Sequence, residues 1–487
     1  MTKVIANFEP ARLDQALSAR GLTAVEFAAR VGVTPTTVSR WRNRAQLPSG
    51  EQLSKAASEL RVSAQWLTRP VSQALAKPYF RGSIAPMKFD RAMLGIRVEW
   101  LAEVAGQLEA YVDYPPVNVP RFGFAKASEI SDADIETAAQ ACREAWGLKD
   151  GPIADVVLVL ENAGVIVARE ETGLARIEGL STWNQDGRPF VLLCADKANG
   201  FRSRFDAAHE LGHLVLHRNI SAPADAATHK LMEHQAHRFA GAFLLPAKSF
   251  CAEVSLPVSL QGLLLLKRRW GVSVAAMIMR LVAVGMVGDA DYLRLIKLRS
   301  AKWGNKQEPK DDELSPEMPR LLRRTAELLF ANGVLSQAAL PEVIGISLAD
   351  LESLMGFDWG VLTRPAADVV TLPVPMPASW PLQTRSIASE PSFVARRAAG
   401  TSLRLVEESV MSRKDIHVVT HDGDWAVRRE GAERASSVHG TKAEAMERAR
   451  DLGRRDHVEV VEHGRNGQIQ GSNSYGNDPN PPKDRKP

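Results

Sequence analysis

The chain has few cysteines, no long apolar run and little net charge, and these absences exclude whole classes of protein. Cys142, Cys194 and Cys251 form no CxxC pair, which argues against a disulfide framework and for a reducing compartment. The longest apolar stretch, Val272 to Gly288, carries Arg280, so it predicts an amphipathic helix rather than a membrane span. The first residues contain no basic segment followed by an apolar run, so we expect a cytoplasmic protein with no membrane partner.

Basic residues are concentrated at the start of the chain. The net charge is only +4, but residues 1–70 hold ten Lys and Arg against five Asp and Glu, a local charge of +5. The remainder is therefore close to neutral, at −1. A front-loaded positive charge favours an anionic partner such as nucleic acid.

Helix signals crowd these first 70 residues. Thr23-x-x-Glu26 and Ser49-x-x-Gln52 are capping boxes, and Thr34-Pro35 supplies an N-cap followed by a proline in the first turn. Five short helices fit this pattern. Gly32 supplies the left-handed residue at the turn between the second and the third.

The third of these helices is predicted to have one apolar and one polar face. Val38 and Trp41 are spaced to bury one face. The polar face and the residue that follows it comprise Thr36, Ser39, Arg40, Asn43 and Arg44. Taken alone, these features also fit a helical interaction module with a solvated basic surface.

Three short patterns stand out in this segment: Phe27-Ala28, Gly32-Val33 and Val38-Ser39-Arg40-Trp41. With them, the chain resembles the Xre/Cro-type helix-turn-helix family over about residues 8–69. The resemblance implies that the third helix enters the major groove of double-stranded DNA and that its polar stripe reads base edges. It also implies phosphate contacts from Arg42 and Arg44. Because one such domain reads half of a palindromic operator, a homodimer is the geometric expectation.

His209-Glu210-Leu211-Gly212-His213 is the strongest chemical motif. Two histidines four residues apart on a helix differ by about 40° in azimuth and about 6 Å in rise, so both can bind one tetrahedral ion. The neighbouring Glu210 is the candidate general base. His217 lies about 12 Å along the helix axis from His209, which excludes it as a third ligand on an unbroken helix. A role behind the ligands or at the helix end is therefore expected for His217.

A third ligand is expected from the next predicted helix. Glu233, Ala236 and Ala240 form one stripe, and its small residues would let the two helices approach closely. His237, one turn further on, is the competing ligand, and the sequence favours Glu233. His209, His213 and Glu233 are the predicted Zn²⁺ ligands.

Two patterns follow one another in this region: Phe205-xxx-HELGHLVLH, and then Glu233-xx-Ala236-xx-Phe239-Ala240-xxx-Leu244-Leu245-Pro246. Together they resemble the ImmA/IrrE family of zinc metallopeptidases over about residues 80–300. The resemblance implies a site in which His209, His213 and Glu233 bind zinc and Glu210 is the catalytic base. Asp206 and His237 depart from the residues common in that family, Thr or Ser and Asn respectively. Family members cleave a repressor and so relieve transcriptional repression.

Strand patterns precede the motif helix. Val165–Ala168, Ile177–Trp183 and Phe190–Ala195 are predicted strands, and helices are predicted over Phe201–His217 and Ala226–Leu245. The second and third strands are expected to present a sheet edge on which an extended peptide pairs.

The last folded segment resembles a small bacterial domain family of unknown function. It matches in Trp425-Ala426-Val427, in Thr441-Lys442-Ala443-Glu444-Ala445 and in a Gly464–Gly467 turn. The resemblance implies a shape and no activity. The five histidines of this segment lack ligand spacing.

The whole pattern predicts an α+β multidomain chain. The predicted parts are an all-α helix-turn-helix domain at 1–72, a zincin-like helical domain with a small sheet at 78–300, a helical extension at 301–363, a Pro-rich linker at 364–414, a small α+β domain at 415–472 and a disordered tail at 473–487. The predicted function is a DNA-binding transcriptional regulator whose zinc metalloendopeptidase domain cleaves a repressor protein or the chain itself. The alternative is a non-proteolytic zinc- or ligand-binding regulator.

Overall fold

The computed structural model describes two compact units, residues 1–405 and 406–487, which are taken separately below. The description covers residues 7–71, 75, 79–82, 88–173, 177–196, 199–220, 225–304, 307–363, 403–404, 416–421, 424–429, 435–456, 459–464 and 469–474. Within these ranges, no helix has both the length and the apolar content needed to cross a membrane.

The first unit begins with four α-helices: α1 (Pro10–Ala19), α2 (Ala24–Val31), α3 (Pro35–Arg42) and α4 (Gly50–Leu60). The fifth predicted helix is a short 3-10 turn, Trp66–Thr68. Both predicted capping boxes form, at Thr23 and at Ser49. Gly32 ends α2 with a φ of 75°, the left-handed conformation that the turn into α3 requires.

The chain then builds a four-stranded sheet. The elements in order are β1 (Tyr79–Gly82), α5 (Lys88–Glu109), β2 (Val112–Asp113), α6 (Asp132–Ala145), α7 (Val156–Asn162), β3 (Ile166–Glu170), β4 (Ile177–Trp183) and β5 (Pro189–Cys194). The strand order is β1-β4-β5-β3, with β1 and β5 antiparallel to β4, and β3 parallel to β5. Since β4 and β5 both lie inside the sheet, the prediction that they present a free edge is wrong. Strand β1, which no sequence pattern indicated, pairs with the outer side of β4.

Most of the elements described after β5 in the first unit are helices. They are α8 (Gly200–Leu216), α9 (Ala226–Leu244), α10 (Ala247–Glu253), α11 (Leu260–Trp270), α12 (Val274–Ala283), α13 (Asp289–Trp303), α14 (Leu321–Ala331), α15 (Leu340–Ile344) and α16 (Leu348–Met355). A short strand β6 (Leu403–Arg404) pairs in parallel with β2. The other residues of the predicted Pro-rich linker lie outside the described residues.

The sheet separates two hydrophobic cores. Side chains alternate along a strand, and here the alternation divides them between the cores. Ile166 and Leu192 join the core formed by α1 to α5 and α14 to α16. Val167 and Leu193 join the core formed by α6 to α13. With both faces covered, the strands are almost continuously buried, as β3 and β5 show.

The helix-turn-helix segment shares its core with later parts of the chain. Arg12 of α1 forms a buried bidentate pair with Glu103 of α5, at 2.6 and 3.0 Å. Arg20 forms a second bidentate pair with Asp350 of α16, at 2.6 and 2.8 Å. Arg20 and Arg97 hold the pKa of Asp350 below its usual range despite its burial. The segments predicted as separate, 1–72 and 301–363, therefore pack within one compact unit.

The second unit is a five-stranded sheet with one helix. Its elements are β7 (Ile416–His421), β8 (Asp424–Arg429), β9 (Ser437–His439), α17 (Lys442–Asp456), β10 (Glu459–His463) and β11 (Ile469–Ser474), with strand order β11-β10-β7-β8-β9. The predicted β7–β8 hairpin forms, and β11 extends to Ser474, into the segment predicted as a tail. The α+β multidomain prediction is thus confirmed.

Candidate metal centre

Helix α8 carries the HELGH motif in the interior of the first unit. Its N-terminus is capped by Asn199, whose side chain accepts from the Arg202 N–H. His209 and Glu210 are fully buried and His213 is 1% exposed. Burying imidazole and carboxylate groups is costly unless they have hydrogen-bond or charge partners. The partners of His209, Glu210 and His213 are therefore described in turn.

A close helix crossing brings α9 to this motif. At Gly212 an added Cβ would lie 3.1 Å from Ala236 Cα and 3.2 Å from Phe239 Cβ. Gly212 and the buried Ala236 therefore let the two backbones approach more closely than larger side chains would permit. The small-residue stripe of α9 lies against α8, which places Glu233 within reach of the histidines.

Three potential ligand atoms converge between α8 and α9. His209 Nε2 and His213 Nε2 are 3.0 Å apart, and the Glu233 carboxylate lies 3.2 Å from His213 Nε2 and 3.6 Å from His209 Nε2. These three residues form a group whose ligand atoms all lie within 4.8 Å of one another. Glu233 retains 23% side-chain exposure, so the cluster is open on one side. Two imidazoles, one carboxylate and an open side are the donor set of catalytic zinc sites.

The Nδ1 atom of His213 lies at the end of a chain of hydrogen bonds through His217 and Gln235. Gln235 donates from Nε2 to the carbonyls of Ala127 and Ile130, at 2.7 and 3.3 Å, which directs its Oε1 toward His217 Nε2 at 3.1 Å. Burial and the neighbouring His213 lower the pKa of His217 to about 3. A neutral His217 that donates from Nε2 must accept at Nδ1, which lies 3.0 Å from His213 Nδ1. His213 therefore donates from Nδ1 and keeps the lone pair of Nε2 for a metal.

His237 contacts the other motif histidine. Its Nδ1 lies 3.1 Å from His209 Nδ1, on the side away from the ligand cluster. The residue is exposed and packs edge-on against Phe205, with ring centroids 5.2 Å apart. Glu233, and not His237, approaches the Nε2 atoms of His209 and His213 in this structure.

Glu210 extends from α8 toward strand β4. Ser181 Oγ donates to Glu210 Oε2 at 2.7 Å. At Gly179 an added Cβ would lie 3.0 Å from Glu210 Oε1, so glycine at this position makes room for the carboxylate. Both residues belong to the face of β4 that points toward α8. The Ser181 hydroxyl and the missing side chain of Gly179 thus fix the orientation of the buried Glu210 carboxylate beside β4.

Replacing Gln235 with Leu should weaken metal binding. The change removes the acceptor of His217 Nε2–H, so the tautomers of His217 and His213 are no longer imposed. Loss of such an outer partner lowers metal affinity by about 10- to 100-fold. A zinc competition titration with a chromophoric chelator measures the change, and His234→Ala, at an exposed neighbour on α9, is the matched control. Equal affinity in Gln235→Leu and the unaltered chain would refute the role of Gln235.

The polar face predicted for DNA contact is solvent-accessible. Thr36, Ser39 and Arg40 lie exposed on α3, whereas Val38 and Trp41 are buried on its opposite face. Asn43 and Arg44 are also exposed but lie beyond the last helical residue, and Arg44 has a φ of 55°.

The two arginines assigned to phosphate contacts are engaged in ion pairs. Arg42 lies 2.5 Å from Asp14, and Arg44 lies 2.7 Å from Glu9. Both arginine side chains are exposed, so each ion pair is weak.

The residues of the candidate metal centre lie in a segment that matches a known family model. Residues 160–282 match the model described as the IrrE N-terminal-like domain, a peptidase family, and they include β3 to β5, both helices of the ligand cluster and Glu210. This segment is therefore similar to IrrE N-terminal-like domains. Strand β1 lies outside the matched residues.

Two other segments match family models. Residues 14–67 match a helix-turn-helix model, and residues 416–475 match an uncharacterized domain conserved in bacteria, DUF2188. The order of the three domains is the order expected from the sequence. A 60-residue stretch is 40% identical to the uncharacterized protein YdaT of Bacillus subtilis (strain 168), covering 12% of this chain and 40% of that protein.

Sequence reasoning did not find the residues that support the site. These are Ser181 and Gly179, which come from a strand, and Gln235, which lies two positions from Glu233. No spacing rule connects these residues with the HELGH motif.

In the second unit, His417 and His463 meet at 2.9 Å. Among the described residues of the whole chain, the cluster of His209, His213 and Glu233 is the one group of three or more ligand residues.

Proposed function

We propose that this chain is a DNA-binding transcriptional regulator whose central domain is a zinc metalloendopeptidase. Its substrate is a protein, either a transcriptional repressor or the chain itself. The observation that carries the proposal is the convergence of His209, His213 and Glu233 beside a buried Glu210 that Ser181 orients. The matches to a helix-turn-helix domain and to a peptidase family support the two halves of the proposal.

Each residue of the cluster has a separate task. His209, His213 and Glu233 would hold zinc, which supplies Lewis-acid chemistry that acidifies water and polarises a carbonyl group. Glu210 would accept a proton from the water that adds to the carbonyl carbon and pass it to the amine nitrogen as the C–N bond breaks. Ser181 fixes one oxygen of that carboxylate, while Gly179 leaves room for the other.

Removing and restoring the metal tests this function. The full chain should cut casein, an unfolded protein, and candidate repressors encoded beside its own gene. A chelator should abolish cutting, and zinc should restore it. Mass spectrometry of the fragments identifies the bonds cut. If zinc-loaded protein leaves every candidate intact, the peptidase proposal fails.

One observation favours the non-proteolytic alternative. Arg97 bonds to Glu170 of β3 and, at 2.6 Å, to Asp350. Asp350 in turn bonds to Arg20, which caps the C-terminus of α1. The helix-turn-helix segment is thus joined through buried ion pairs to the sheet of the peptidase domain. On this reading zinc changes DNA affinity while no protein is cut. Fluorescence anisotropy with and without zinc separates the two functions.

Two arginine substitutions should affect DNA binding differently. Arg40→Ala removes a contact to base edges and should cost about 1–3 kcal/mol on an operator selected from random duplexes, with relaxed sequence preference. Arg44→Ala should weaken binding evenly across sequences and reduce the salt slope by about 1. Anisotropy titrations at several salt concentrations, on selected and scrambled duplexes, check both. Unchanged operator affinity in both variants would contradict the proposed interface.

A further inference from the structure

The strand nearest the candidate base defines where an extended peptide would bind. Gly179 and Ser181 lie on β4, and both adjoin the Glu210 carboxylate. On its inner side β4 pairs with β5, with Gly179 opposite Leu193 and Ser181 opposite Val191. The outer side of β4 is therefore the sheet edge beside the catalytic carboxylate. A peptide that adds to this edge gains main-chain hydrogen bonds and lies next to Glu210.

That edge is filled by another part of the same chain. In β1, Tyr79 pairs with Ser181, Phe80 with Leu180 and Arg81 with Gly179, all antiparallel. The paired residues thus include the two β4 positions that touch Glu210. Strand β1 lies between the helix-turn-helix match, which ends at 67, and the peptidase match, which begins at 160. The peptidase domain alone, with β3 to β5, would leave this edge uncovered.

We propose that the outer edge of β4 is the peptide-binding surface of the metal centre and that residues 79–82 are its intramolecular occupant, which a substrate must displace. This inference rests on the proposed peptidase function. An occupant on the same chain competes at an effective concentration of about millimolar. A substrate on another protein therefore binds when it is present at a higher concentration, when it pairs better or when β1 is withdrawn.

Peptide binding tests the occupancy without any cleavage. The probe is a fluorescent peptide matching residues 75–86, and the protein is the full chain carrying Glu210→Gln. The test variant adds Phe80→Pro and Arg81→Pro. Successive residues of an antiparallel strand direct their N–H groups to opposite sides, so one of the prolines removes a donor to β4. The matched control peptide carries the same two prolines.

We expect the Kd of the peptide to be at least tenfold lower for the proline variant than for the chain with β1 intact, and the control peptide to bind neither. Equal binding to both proteins would show that β1 does not occupy the surface. Binding to neither would show that the edge of β4 is not a peptide site. Thermal unfolding curves establish that the proline variant is folded.

A disulfide lock provides an independent test. Phe80→Cys and Leu180→Cys place two cysteines directly opposite each other on β1 and β4. When reduced, this protein should bind the peptide weakly at high concentration, because the peptide displaces β1. When oxidised, it should not bind the peptide. Binding that is insensitive to oxidation, or failure of the two cysteines to cross-link, would overturn the proposal.

These outcomes are distinct from those of the peptidase test. If β1 blocks the peptide but zinc-loaded chain with Glu210 intact never cuts casein, the occupancy stands and the peptidase function fails. If casein is cut and the peptide binds regardless of β1, the function stands and the occupancy fails.

Discussion

Glu210→Gln should lower the rate of peptide-bond hydrolysis by about 10³-fold, within the range of about 10² to 10⁴ that general-base catalysis contributes. The amide has almost the same shape as the carboxylate and can still contact Ser181 Oγ, but it cannot accept a proton from water. Rates are measured from the appearance of new N-termini in casein at saturating zinc.

Two controls make this result specific. The zinc content of Glu210→Gln should equal that of the unaltered chain, because Glu210 is not among the ligand residues. Glu327→Gln, at an exposed position on α14, should leave the rate unchanged. Fragments that form at the same rate with Glu210→Gln would show that another protease in the preparation makes them.

Glu233→Gln should lower zinc affinity by at least about 100-fold. Loss of an outer partner alone costs 10- to 100-fold, and here the anionic ligand itself is lost. The amide keeps the size of the side chain but carries no charge to balance the metal. Competition titration gives the affinity, and Glu327→Gln again serves as the control for a neutralised exposed carboxylate.

The same substitution distinguishes between Glu233 and His237 as the third metal ligand. If Glu233→Gln retains zinc and His237→Ala loses it, His237 is the ligand and the observed cluster does not describe the bound site. The structure predicts the reverse, because His237 lies on the Nδ1 side of His209 rather than beside the two Nε2 atoms.

Features that depend on neighbours in sequence were predictable. Capping boxes, the left-handed Gly32 and the polar face of α3 follow from local geometry, since each involves residues within one or two helical turns. The pairing of His209 with His213 follows from the helical repeat. The stripe of small residues that brings Glu233 to the histidines was also visible, because one helix face is a periodic pattern.

Features that depend on distant segments were not predictable. Strand β1 carries no pattern that distinguishes it, and the four residues it contributes gain their structure from pairing with β4. The prediction of a free edge was wrong for this reason. Likewise Ser181 and Gln235 act on the site only because the sheet and the turn at 127–130 pack against α8 and α9.

The sequence by itself determined the capped helices of the helix-turn-helix segment and the identity of the ligand and base candidates, because capping and helical spacing are properties of the local chain. Tertiary structure alone decided which nitrogen of His213 faces the ligand cluster, what holds Glu210 and which segment covers the edge of β4. Hydrogen bonds between residues far apart in the chain control these features, and such contacts leave no periodic trace in the sequence.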